Sequence, residues 1–188
     1  IKPNKNISKE INLLIIGGSQ GAKLFDNSIN DSILKISKRY ELKIFHQTNS
    51  KNYKNIKEFY SKNNIKNELF DFSESVLEFM KKTNICITRA GASTLAELTF
   101  LNIPHIAVPF PFAKDNHQFE NAHFYQIKGC NWVLNQNELN ENTLTNKLFN
   151  IIENKDDYLK KRENMRNFSY QNTWNNINQK ILDVINEN

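Results

Sequence analysis

Glycine is scarce in this chain, with five among 188 residues, and proline and cysteine are scarcer still at four and two. Cys86 and Cys130 stand far apart with no CxxC or Cys/His spacing, which argues against a disulfide framework and against a zinc site. Cys86 falls in an apolar, strand-like run and reads as a small core residue, in keeping with a reducing cytoplasm. No apolar run approaches the ~20 residues of a membrane-spanning helix. The N-terminal stretch IKPNKNISKE is polar and unlike a signal peptide. The chain does not begin with methionine, which leads to the expectation of a fragment or a processed chain. No Asp-x-Asp pair is present to hold a divalent cation, so neither a metal nor another cofactor is expected. The formal net charge of +5 is compatible with an anionic ligand or membrane surface. Lys and Asn are abundant throughout, however, and the basic residues form no stripe interleaved with aromatics, so nucleic acid is not expected as a partner.

What is present suits a folded domain: 39% hydrophobic and 24% charged residues allow a buried core. Short β-rich runs alternate with longer amphipathic ones. The pattern predicts strands at 11–17, 42–47, 67–72, 84–88, 105–109 and 131–134. Between them it predicts helices at 22–39, 52–63, 74–81, 93–101 and 116–128. Ser73 is a candidate N-cap, and Gly129 a helix stop. Beyond Glu138 only helical patterns remain. Leu144, Leu148, Ile151 and Ile152 form one apolar face; Trp174, Ile177, Ile181, Leu182 and Ile185 form another. Strands alternating with helices imply right-handed crossovers. The expected class is α/β: a single doubly wound, Rossmann-like parallel sheet of about six strands with C-terminal helices, spanning 1–188 as one domain.

Four of the five glycines (Gly17, Gly18, Gly21 and Gly91) fall in two strand-to-helix loops, where backbone must turn tightly. The first is Gly17-Gly18-Ser19-Gln20-Gly21-Ala22. Amides at the start of a following helix favour an anion, and Ser19 adds a hydroxyl. The spacing is neither GxGxxG nor GxxxxGK[ST], and on spacing alone an ordinary tight turn serves equally well. The second runs from Thr88 through Arg89, Ala90, Gly91, Ala92, Ser93, Thr94, Leu95 and Ala96 to Glu97. Ser93 and Thr94 can offer hydroxyls and amides to phosphate, and Glu97 can accept both hydroxyls of a ribose. Thr94-Leu95-Ala96-Glu97 also satisfies a capping box, which taken alone is the better reading of Glu97. A third loop, 108–118, brings His117 and Gln118 to a helix start; unaided, it reads as surface. All three leave the carboxyl ends of strands, where open parallel sheets bind ligands.

The segments GGSQGA (17–22), His46-Gln47, TRAGASTLAEL (88–98) and VPFPFAKDNHQFENA (108–122) resemble the MurG family of N-acetylglucosaminyltransferases, in that family's order. The resemblance runs from about Asn12 to the mid-150s. It implies one half of a GT-B glycosyltransferase: the C-terminal, donor-binding domain, without the N-terminal acceptor domain. The implied activity moves N-acetylglucosamine from UDP-GlcNAc to undecaprenyl-diphosphate-muramoyl-pentapeptide (lipid I), giving lipid II for peptidoglycan. The resemblance carries UDP-GlcNAc contacts onto Gly18, Ser19, Gln20 and Gly21 at the diphosphate, Phe72 and Ser73 at the uracil, and Arg89, Ala92, Ser93, Thr94 and Leu95 at the phosphates. It assigns Glu97 to the ribose and His117 and Gln118 to the sugar. The segment Phe72-Ser73-Glu74-Ser75-Val76 departs from the family's usual FIxDM. The resemblance also implies that the full-length protein sits peripherally on the cytoplasmic face of the inner membrane, on an anionic surface.

An inverting transfer needs a base for the acceptor hydroxyl and stabilisation of departing UDP. Helix starts, the hydroxyls and Arg89 supply the second. No base is evident: His46, His105 and His123 are lone histidines, and no catalytic residue is assigned. The fragment is therefore expected to bind UDP-GlcNAc weakly without turning over alone. A stand-alone donor-binding subunit of a split, membrane-partnered transferase is the alternative, and a fragment of a UDP-GlcNAc 2-epimerase a more remote one. Phe110, Phe112, Phe119, Phe124 and Tyr125 are read as packing on the core or on a missing domain rather than as a membrane patch.

Overall fold

Leu13–Ile16 contains no polar residue, as a strand covered on both faces requires. The computed structural model, which describes residues 10–17, 24–71 and 76–171, places that run at the centre of a six-stranded parallel sheet. The strands are β1 (Glu10–Ile16), β2 (Glu41–Gln47), β3 (Lys66–Phe70), β4 (Ile85–Thr88), β5 (His105–Ala107) and β6 (Trp132–Val133). Their order across the sheet is β3-β2-β1-β4-β5-β6, with every pair parallel. The predicted α/β class and six strands are borne out. The chain direction across the sheet reverses between β1 and β4, and open parallel sheets bind ligands at the carboxyl ends beside such a reversal.

The helices are α1 (24–28), α2 (Asn30–Ser37), α3 (Ser50–Lys62), α4 (Val76–Met80), α5 (Ala92–Phe100), α6 (His117–Ile127), α7 (Glu141–Glu153) and α8 (Lys155–Gln171). Strand alternation sends Leu13 and Ile15 to one face and Leu14 and Ile16 to the other. The first face packs on Ile33 and Ile36 of α2, Ile56 and Tyr60 of α3, and Leu144, Leu148 and Ile151 of α7. The second packs with Phe45 and Cys86 against Met80 and Leu98. Each such fully buried aliphatic side chain contributes about 1.5–3 kcal/mol of transfer free energy. Both cysteines are free and buried.

The single helix expected at 22–39 is interrupted. Residues 24–28 and Asn30–Ser37 are separate helices with a turn at Ile29 between them. The Asn30 side-chain amide donates to the Asp26 carbonyl at 3.1 Å, a local bond that competes with the backbone ladder. α3 begins two residues before the expected 52 because the Asn49 side chain caps the amides of Lys51 and Asn52. β5 ends at Ala107, before Pro109, which has no N–H for a ladder. α7 opens with a capping box between Asn140 and Thr143. The expected cap at Ser73 and the apolar face from Trp174 to Ile185 lie outside the described residues.

Gly129 ends α6 as expected, at φ +68°. A Cβ there would stand 2.3 Å from Asn164 Nδ2, the group that donates to the Gly129 carbonyl. Gly129→Ala combines a left-handed backbone with displacement of the Asn164 amide. It is expected to lower stability by about 2 kcal/mol, read as a lower urea midpoint at unchanged m-value.

Candidate functional site

The carboxyl ends of β2, β1 and β4 are tied together by hydrogen bonds. Arg89 follows β4 directly, and its backbone N–H donates to the Ile16 carbonyl at 3.2 Å, tying the end of β4 to the end of β1. On the other side of β1, the Gly17 N–H donates to Oε1 of buried Gln47, the last residue of β2, at 3.1 Å. Gly18, Ser19, Gln20, Gly21, Phe72 and Ser73, assigned to the site from the sequence, lie outside the described residues.

α5 opens at Gly91, whose extended backbone serves as N-cap without a side-chain cap bond. The amides at its start therefore lack the side-chain acceptor that most helix starts carry. Its first turn holds no acidic residue, so nothing there repels an anion. Ala92 and Ser93 are exposed, and Thr94 is half-buried. Thr94 lies inside the helix and is not its N-cap, so the capping-box reading of Glu97 fails. Glu97 is exposed on the next turn, and among the described residues its carboxylate has no hydrogen-bond or ion-pair partner.

Leu95 is a different case. Its side chain is fully buried with Ala90, Ala107 and Ala122, and its N–H closes the first helical turn on the Gly91 carbonyl at 3.0 Å. Leu95 therefore anchors α5 to the sheet and offers neither side chain nor amide to a ligand.

Arg89 is also committed within the protein. It is 8% exposed. Its guanidinium donates to the carbonyls of Val108 (3.2 Å) and Pro109 (3.3 Å) and to Gln136 Oε1 (2.7 Å). The rings of Phe25 and Phe110 lie 5.5 and 5.4 Å from it. Burial pulls its pKa below the usual guanidinium value. The expectation that Arg89 meets phosphate directly is thus revised: it binds the loops after β4, β5 and β6 together.

α6 grips the same corner. Gln118 Oε1 accepts from the amides of Ala90 (3.3 Å) and Phe110 (3.0 Å), and Asn121 Nδ2 donates to the Ala90 carbonyl at 3.1 Å. Both backbone groups of Ala90 are held by one helix, which fixes where α5 starts. The Gln118 side-chain amide remains as its donor. His117 is exposed, and its Nδ1 lies 2.7 Å from the Lys114 carbonyl. A carbonyl only accepts, so Nδ1 carries a proton, and in the neutral ring Nε2 is left as an acceptor. Two successive left-handed residues, Asp115 (φ 52°) and Asn116 (φ 54°), lead into this helix.

A cleft of about 550 Å³ lies beside the corner, lined by Phe110, Phe112, Phe119, Asn116, Asn135 and Gln136 among others. Phe112 is 81% exposed at its rim. Phe124 and Tyr125 instead pack edge-on against Phe168 of α8. The five aromatics therefore do not form one continuous patch. Among the described residues no helix is long and apolar enough to cross a membrane.

The structure brings Arg89, Ala92, Ser93, Thr94, Glu97, His117 and Gln118 to the carboxyl edge. It also reveals Gln47, Asn121 and Gln136 as supports. His46-Gln47 ends a strand and Asn121 follows Gln118 by three residues, so both had a signal in the sequence. Gln136, in a polar loop 47 residues beyond Arg89, had none.

The model of the glycosyltransferase family 28 C-terminal domain matches residues 12–180. The chain belongs to this family. A relative from Pelagibacter ubique, a UDP-N-acetylglucosamine–N-acetylmuramyl-(pentapeptide) pyrophosphoryl-undecaprenol N-acetylglucosamine transferase, is 60% identical over 98% of this chain and 52% of its own length. A transferase of the same name from Rickettsia bellii is 36% identical over 82% of this chain and 44% of its own. Among solved structures, Acinetobacter baumannii MurG superposes with a TM-score of 0.71 at 27% identity, covering 84% of this chain and 46% of that one. This family 28 domain thus spans about half the length of the curated relatives it matches. A UDP-GlcNAc 2-epimerase from Neisseria meningitidis, at 17% identity and a TM-score of 0.61, shares the fold.

Proposed function

We propose that this chain binds UDP-N-acetylglucosamine and is the donor half of an enzyme that transfers N-acetylglucosamine to undecaprenyl-diphosphate-muramoyl-pentapeptide, converting lipid I to lipid II. The observation that carries the reading is the start of α5. It lacks a side-chain cap, lies at the sheet's reversal point, and bears one turn on a Glu97 that has no partner among the described residues. The identity to the Pelagibacter transferase supports the choice of nucleotide sugar.

In this reading the amides of Ala92, Ser93 and Thr94 and the hydroxyls of the last two receive the diphosphate, and the helix dipole offsets the charge that develops on departing UDP. No metal is needed for that step. Glu97 accepts the ribose hydroxyls. The His117 ring and the Gln118 amide face the sugar. Arg89 acts through the loops it joins. The acceptor, the catalytic base and the peripheral contact with the anionic cytoplasmic face of the inner membrane belong to the remainder of the full-length protein. The domain alone therefore binds donor without turnover.

Calorimetric titration with UDP tests this. Glu97→Ala is expected to weaken binding by about 1–3 kcal/mol, roughly 5- to 150-fold, with the melting temperature unchanged because the carboxylate has no partner among the described residues to lose. Unchanged UDP affinity in the folded variant overturns the ribose assignment. Addition of EDTA is expected to leave the affinity as it was.

A further inference from the structure

Among the described residues, one close carboxylate–histidine pair is fully buried, and it lies next to the candidate site rather than within it. Asp26 of α1 and His46 of β2 are 1% and 0% exposed, with Oδ1 and Nε2 3.3 Å apart. The two atoms are at ion-pair distance but not aligned as a hydrogen bond. His46 Nδ1 stands 2.8 Å from the hydroxyl of buried Tyr60 in α3, and Asn52 Nδ2 donates to Asp26 Oδ2 at 2.6 Å. Burial alone would raise the Asp26 carboxyl, but the adjacent His46 ring and the bond from Asn52 outweigh it and hold the group below its usual value. Burial raises the Tyr60 hydroxyl above its usual value, so it stays protonated beside the ring.

A buried carboxylate with this many partners is costly to move. Consecutive strand residues point to opposite faces. His46 therefore reaches α1 and α3 from one face of β2, while Gln47 holds the Gly17 amide at the end of β1. The last two residues of β2 thus fix both where β1 ends and where α1 lies. The next residue back along α1, Phe25, lies 5.5 Å beneath the Arg89 guanidinium, at the foot of the loop that opens α5.

We propose that Asp26 and His46 are positioning residues for diphosphate recognition. Through α1, Phe25 and Arg89 they hold the start of α5 at the end of β1, although no ligand atom reaches either side chain. Pre-setting that geometry removes ordering cost from binding. The proposal rests on the reading of UDP as ligand, and it extends that reading to residues outside the contact surface.

The test compares UDP with uridine, which lacks the phosphates, in calorimetric titrations of the chain and of Asp26→Asn, a near-isosteric change. The expected result is UDP affinity weakened about tenfold with uridine affinity unchanged, in a variant that still melts cooperatively. Equal weakening of both ligands, or unchanged UDP affinity, overturns the proposal. If Asp26→Asn does not fold, His46→Gln, which keeps a donor toward Asp26, carries the same comparison with the same two outcomes. A parent chain that binds neither ligand overturns the UDP reading itself, and the positioning role with it. A parent that binds UDP, with folded variants that bind it equally well, sinks the positioning role alone.

Discussion

Arg89→Leu is expected to lower the stability of the chain by about 3 kcal/mol and to weaken UDP binding at least about tenfold. The leucine fills part of the space but cannot donate. The Val108 and Pro109 carbonyls and Gln136 Oε1 then lose their partner at a nearly dry position. Each buried acceptor left unpaired costs roughly 1–3 kcal/mol, softened here because Gln136 can turn to water. The binding loss has a separate cause: without the guanidinium, the loops after β4, β5 and β6 are no longer joined beneath the start of α5. Arg89→Lys keeps the charge but not the fork and is expected to fall between the two. Urea denaturation and UDP calorimetry on the three proteins check this. Wild-type stability in the leucine variant would overturn the role of Arg89 as a brace.

Acid sensitivity traced to His105 is the second large expectation. This histidine opens β5, is fully buried, and places Nδ1 2.9 Å from the Ile103 carbonyl. Burial pushes its pKa down from 6.5 to about 4, against a smaller opposing pull from that carbonyl. A depressed histidine pKa means that the unfolded chain takes up the proton first. Stability is therefore whole above the unfolded value, falls as pH drops from about 6.5 toward 4, and levels off below. The shift corresponds to about 3 kcal/mol across that window. His105→Gln, which retains a donor for the Ile103 carbonyl, is expected to lose this acid limb and leave a flatter profile. Parallel urea titrations at pH 7, 6, 5 and 4.5 measure the difference between the two chains. Profiles of the same slope would show that His105 is not the group responsible.

The fold was legible because its signal is periodic. A short run such as Leu13–Ile16, with no polar residue and glycines directly after it, suits a strand covered on both sides, and the helices between strands leave few topologies. Element edges were less legible because side-chain capping sets them, as at Asn49, or local competition does, as at Asn30. The site divides in the same way. The start of α5 announces itself through Gly91, Ser93 and Thr94, a cluster of small residues after a buried strand. The parts played by Arg89 and Leu95 could not be read from the motif, because they depend on partners distant in sequence: Gln136 for the first, Ala107 and Ala122 for the second. Glu97 shows the opposite error. Its local pattern fits a capping box, but the N-cap of the helix is Gly91, three residues before Thr94, and the local rule has nothing to act on. The supporting pair of Asp26 and His46 joins residues on different elements, and no spacing rule links them.

The two buried cysteines have a consequence of their own. Burial raises the Cys86 thiol well above its usual value and Cys130 to about 11, so neither is a nucleophile while the chain is closed. A thiol reagent reacts only during the moments when its target is uncovered. Cys86 belongs to β4 at the middle of the sheet, whereas Cys130 follows Gly129 at the corner between α6 and β6. The chain thus carries two built-in clocks: one runs on the opening of the sheet's centre and the other on fraying behind the helix that bears His117 and Gln118.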